Sequence, residues 1–108
     1  MKKSKIQIEV TLDENNIPES ILWSADENEE GKLQETKAIA ISIWDSKKFD
    51  SLQLDLWTKE MNVDEMKRFY INQMGSASNT LMNATGDEKL ANQIKTFCEG
   101  LVKQLDSK

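Results

Sequence analysis

The amino-acid sequence predicts an α+β domain: an antiparallel sheet of about four strands followed by two antiparallel helices packed on one face. Three observations carry that prediction. Apolar residues recur at every second position in separate stretches up to Leu56, as strands require, and at spacings of three and four from Val63 onward, as helices require. Between the two regimes, Asn62 and Glu65 stand at the capping-box spacing that opens a helix. A chain of 108 residues is also the length of one domain, able to bury roughly 65% of its unfolded surface without staples. We therefore expect a single domain over residues 1–108, with the sheet over about 5–58 and the helical hairpin over about 63–106.

Ile6, Ile8, Val10 and Leu12 point one way while Lys5, Gln7, Glu9 and Thr11 point the other, which makes a half-buried first strand. Asp13 to Asn16 is a turn, with Asn15 and Asn16 suited to left-handed backbone. Pro18 cannot donate to a ladder and so opens the next strand, roughly Ser20 to Ser24, which pairs with the first as a hairpin. Asp26, Asn28, Glu30 and Gly31 imitate the start of a calcium loop, but Lys37 occupies the position that needs an acid. A solvated loop is the expectation there.

From Ala38 to Trp44, isoleucines at 39, 41 and 43 alternate with Ala38, Ala40, Ser42 and Trp44, which favours a strand. Thr36, Ile39, Ala40, Ile43 and Trp44 also form a helical stripe, so the alternative stays open on sequence alone. As a strand, it pairs with Leu52 to Trp57 so that Ile43 faces Leu52, Ile41 faces Leu54, Ile39 faces Leu56 and Ala38 faces Trp57. The isoleucine and leucine rows are expected to lie over the interior.

The first helix carries Val63, Met66, Phe69, Tyr70, Met74, Ala77, Leu81 and Ala84 on one stripe, with Gly75 as its weak point. Thr85-Gly86-Asp87-Glu88 offers a glycine stop and a fresh cap. The last helix is expected to bury Leu90, Ile94, Phe97, Cys98, Leu101 and Leu105. Met66 and Met74 fall on the helix stripe, where filling a core explains them.

With 19 acidic and 14 basic residues the net charge is -5, which gives no electrostatic reason to bind nucleic acid or an anionic membrane. No run of about 18 apolar residues offers a membrane span. The residues after the basic start alternate instead of forming an apolar core, so no export signal is expected, and one cysteine suits a reducing cytoplasm.

The chemistry-bearing residues are sparse. The chain has no histidine, the usual base and commonest metal ligand. Cys98 falls on an apolar helix stripe, where packing is the stronger reading than nucleophilic or redox work. Asp45, Asp50 and Asp55 could meet as paired carboxylates, but the first two belong to a turn and Asp55 to the face away from the leucines. Among only four glycines there is no phosphate loop. We expect no catalytic, cofactor-binding or metal-binding residues, hence no enzyme. Trp44 and Trp57 share the face opposite the leucine row and are either covered or exposed. If exposed beside Asp45 and Asp55, these four are the candidate anchors for a protein partner.

One further pattern runs through the chain. Leu54-Asp55-Leu56-Trp57-Thr58-Lys59-Glu60-Met61 followed by Val63-Asp64-Glu65-Met66-Lys67 forms its centre. Leu12-Asp13-Glu14-Asn15, Ile17-Pro18-Glu19 and Trp23 lie upstream, Glu35-Thr36-Lys37-Ala38 and Ile43-Trp44-Asp45 in the middle, and Ala84-Thr85-Gly86 with Phe97-Cys98 downstream. This pattern resembles the GldC family of gliding-motility proteins along nearly the whole chain, with divergence expected at 26–30 and 75–78. The resemblance implies a small cytoplasmic accessory protein of bacterial gliding motility, with a protein partner in that machinery. Self-association into a homo-oligomer stays open. The alternative, by analogy of fold alone, is a peptide-binding holdase similar to the export chaperone SecB.

Overall fold

The computed structural model describes residues 2–26 and 32–107, and the chain falls into two compact units, Met1–Met61 and Asn62–Lys108. The loop expected over Asp26 to Gly31, with its calcium-like spacing, lies outside the described residues from position 27 onward.

The first unit holds β1 (Ile6–Leu12), β2 (Pro18–Ala25), β3 (Gln34–Thr36), β4 (Ala38–Asp45) and β5 (Asp50–Trp57), all antiparallel to their neighbours. β1 and β2 pair as expected, with Val10 opposite Ile21 and Ile8 opposite Trp23. Asp13 closes the turn between them. Its carboxylate accepts the N–H groups of Asn15 at 2.8 Å and Ile17 at 3.0 Å, and Asn16 takes left-handed backbone at φ 62°. Ile21, with Thr36 of β3 on its other side, is 0% exposed and marks the core of this ladder.

The α+β class is as the sequence predicts and the strand number is close to the four expected, but among the described residues five strands form two sheets instead of one, ordered β1-β2-β3 and β4-β5. The break is at Lys37, where the chain bends. Thr36 Oγ1 donates to the carbonyl of Ala38 at 3.2 Å and accepts its N–H at 3.5 Å, holding the corner. β3 thereby stays with β2 while β4 turns to β5. The segment over 36–44 resolves as a strand, and its register is the one the alternation demands, from Ala38 opposite Trp57 to Asp45 opposite Asp50.

The expectation that the isoleucine and leucine rows lie over an interior does not hold along the turn-ward half of this hairpin. Leu52 is 64% exposed, and Ile43 and Leu54 are exposed beside it. Ile39, Ile41 and Leu56 are half-buried. A two-stranded ribbon gives each apolar side chain its cross-strand partner and little else, and such a ribbon alone is only marginally stable in water.

The second unit is a helical hairpin, α1 (Val63–Thr85) and α2 (Glu88–Asp106). Asn62 caps α1 by accepting the N–H of Glu65 at 2.8 Å, and Glu65 Oε1 accepts from the Asn62 amide at 3.0 Å. Gly86, left-handed at φ 73°, ends the helix by donating its N–H to Met82 O at 2.9 Å. Asp87 then caps α2 through the N–H of Leu90 at 3.0 Å. Arg68 reaches Asp64 and Asp106, each at 2.9 Å, and so ties the start of α1 to the end of α2. These groups are exposed, so the tie is weak and screened by salt.

The buried seam of the hairpin differs from the expected stripes. Ser78, Ala91 and Cys98 are buried, whereas Val63, Met74, Ala77, Ala84, Leu90 and Phe97 are exposed. Small residues sit where two helices come closest, and larger ones flank the contact. Cys98 packs as its stripe position implied.

Candidate functional site

Trp44 and Trp57 both project from the face of the β4–β5 hairpin opposite the leucine row, because Ala38, Ala40, Ser42 and Trp44 share a side with Ser51, Gln53, Asp55 and Trp57. Both are exposed, Trp44 to 55% and Trp57 to 49%. Six residues of strand separate their ends of the ladder, about 20 Å at ordinary strand rise. The face is therefore two aromatic positions with small and polar residues between them.

At the turn end, Trp44 meets Phe49 edge to face, ring centroids 5.0 Å apart. Sequence reading missed Phe49. It is 83% exposed and held at φ 56°, a left-handed backbone that bulky residues rarely adopt. The available signal was an aromatic inside the polar turn Asp45-Ser46-Lys47-Lys48-Phe49-Asp50. Asp45 shapes that turn by accepting the N–H groups of Lys47 at 3.0 Å and Lys48 at 3.3 Å.

At the other end, Trp57 borders a shallow hollow of about 360 Å³ with Ile17, Pro18, Thr58 and Lys59. Lys59 makes an ion pair with Asp13 at 2.5 Å, a second contact that the sequence did not signal. The ammonium of Lys59 and the N–H donors of Ile17 and Asn15 hold the Asp13 carboxyl down at about 2. The same pair pushes Lys59 above its ordinary value of 10.5. Thr58 is buried below the hollow, and its N–H donates to Lys37 O at 2.8 Å.

The carboxylates do not converge. Asp45 and Asp50 face each other at the turn, where Asp50 accepts the N–H of Ser51, while Asp55 lies on the opposite face and accepts from the Gln53 amide at 3.0 Å. Of the four candidate anchors, Trp44 and Asp45 thus share the turn end and Trp57 and Asp55 the other. Among the described residues no group of three or more His, Cys, Asp or Glu is placed to hold a metal ion, and no helix is long and apolar enough to cross a membrane.

These features define a small α+β protein with exposed aromatic side chains on one β-hairpin. The family model described as "Gliding motility-associated protein GldC-like" matches residues 18–107. The chain belongs to that family, and so to the proteins associated with gliding motility. No curated protein and no solved structure matches it.

Proposed function

We propose that this protein is a non-enzymatic accessory component of bacterial gliding motility that works in the cytoplasm by contacting another protein of the motility machinery. One observation carries the reading: Trp44, Phe49 and Trp57 stand in solvent on a single hairpin. Exposed aromatics of this size are the side chains that most often anchor protein interfaces. Phe49 strengthens it, because apart from its edge-to-face contact with Trp44 this phenylalanine stands in solvent on left-handed backbone, where glycine or asparagine would fit without strain.

The test is affinity capture from a gliding bacterium with the wild-type chain and a Trp44→Ala, Trp57→Ala double variant as baits. We expect a motility component on the wild type and at least about a thirtyfold weaker interaction with the folded variant, the scale of losing a hot spot. Equal capture by both baits would remove the tryptophans from the contact. The exposure of Ile43, Leu52 and Leu54 also supports a second reading, a holdase that covers apolar segments of unfolded chains. Suppressed aggregation of an unrelated unfolded protein at stoichiometric amounts would favour that reading.

A further inference from the structure

Sheet edges in soluble proteins are normally blunted by a charge, a proline or a bulge, because unpaired N–H and C=O groups invite another strand. β1 carries Glu9 within its length, and β5 carries Asp55 and lies beside β2. β4 is different. From Ala38 to Trp44 it has no charged residue, no proline and no glycine. Its side away from β5 pairs with no other strand among the described residues.

The direction of its backbone groups can be read from one hydrogen bond. Lys37 O accepts from Thr58 N–H on the β5 side, so the odd-numbered residues turn their N–H and C=O toward β5 and the even-numbered ones turn theirs outward. Thr36 Oγ1 already serves both backbone groups of Ala38. The free row is that of Ala40, Ser42 and Trp44.

We propose that this edge pairs with the same edge of a second copy of the chain, antiparallel about a two-fold axis at Ile41. In that register Ala40 of each copy exchanges backbone hydrogen bonds with Ser42 of the other, all from outward-facing groups. Ile41 meets Ile41, Ile39 meets Ile43, and Lys37 stands opposite Asp45 at both ends. A shift of two residues either way sets Lys37 against Ile43 or Asp45 against Ile39, so charge and the isoleucine row select the same register. The result is a continuous sheet ordered β5-β4-β4-β5, in which Ile43, exposed in the single chain, gains Ile39 of the second copy. On the other face, Ala38 becomes a small floor between its own Trp57 and Trp44 of the second copy. The indoles then rise from strands about 10 Å apart. Self-pairing thus gathers the separated aromatics into two equivalent clusters. It is independent of which motility protein the surface meets.

The experiment is sedimentation velocity on the full chain over a concentration series, with Ser42→Pro as the breaking variant. Proline at 42 removes an outward N–H and leaves the β4–β5 bonds intact, so circular dichroism should be unchanged. We expect a dimer of twice 12.4 kDa for the wild type and a dissociation constant raised at least about tenfold in the variant. The register is read with Ile41→Cys, whose two copies would have Cα atoms about 4.5 Å apart, within disulfide range, and should cross-link under glutathione disulfide. The wild-type chain, with Cys98 buried, is the control. A wild type that stays monomeric into the millimolar range would overturn the proposal and leave the edge to a strand of a different protein. A dimer indifferent to Ser42→Pro and without the Ile41→Cys cross-link would overturn it as well.

Discussion

The two hairpins of the first unit are built from the same kind of sequence and end in opposite situations. β1, β4 and β5 alternate aliphatic with polar or small residues, β2 carries Ile21, Leu22 and Trp23 in succession, and both hairpins pair antiparallel, with a register shift only in the first, between Thr11 and Leu12. In the first, a third strand joins β2, and Ile21 is removed from water entirely. In the second, the ladder has two strands among the described residues, and Ile43, Leu52 and Leu54 remain exposed. Alternation decides which side chains share a face. Whether anything covers that face depends on neighbours that a strand's own pattern does not encode.

The largest expected effect follows from the covered side of the comparison. Ile21→Ala should lower unfolding stability by about 2–5 kcal/mol, the range for truncating a fully buried aliphatic side chain. Urea denaturation measures it. A loss below about 1 kcal/mol would mean that the site collapses around the alanine, and that Ile21 is not the centre of its ladder.

That contrast also explains how much was legible beforehand. The pairing of Ala38 with Trp57 follows from alternation, the cap at Asn62 from a three-residue spacing and the stop at Gly86 from a residue type, and all three stand in the structure. These are local rules acting within one element or one hairpin. β3 escaped because its three residues, Gln34, Glu35 and Thr36, are too few and too polar to show a period. The break at Lys37 escaped with it. The helix stripes were read as wider than their buried part, since periodicity marks Met74, Phe97 and Cys98 alike as apolar positions but cannot say that, of these, only Cys98 is buried, or that Ser78 and Ala91 join it in the seam. Of the candidate site, the shared face of Trp44 and Trp57 was readable from parity. Their exposure and the company of Phe49 were not, because both depend on what surrounds the hairpin.

A smaller effect should appear where the two hairpins are joined by charge. Asp13 belongs to the β1–β2 turn and Lys59 follows β5, so their ion pair fastens the two ends of the unit. The Asp13 carboxyl is lowered from 3.8 to about 2 on folding, so its charge stabilises the folded state above the unfolded value, and that contribution is lost as pH falls through about 2. Lys59 is raised on folding, so its share is present below 10.5 and fades as pH rises past its folded value. Asp13→Asn keeps an acceptor for the N–H groups of Asn15 and Ile17 while removing the charge. The wild type should therefore exceed this variant in urea midpoint at neutral pH, with the gap closing toward pH 2. A gap that does not change with pH would assign the effect to turn geometry alone.

The smallest effect is expected on the uncovered side, and it tests the comparison most directly. Leu52→Ser replaces an aliphatic residue of an alternating strand, opposite Ile43 in the ladder, so sequence pattern alone would predict a serious loss. Exposure predicts otherwise. A side chain that already stands 64% in solvent has little apolar area left to lose, and its replacement should shift stability by no more than about 0.5 kcal/mol in urea denaturation at low protein concentration. A strand keeps its ladder bonds when one outward leucine becomes serine, and the cross-strand contact with Ile43 contributes only some tenths of a kcal/mol. If Leu52→Ser instead costs about as much as Ile21→Ala, the leucine row is covered in solution, and the hairpin's apolar face belongs to a core rather than to a surface awaiting a partner.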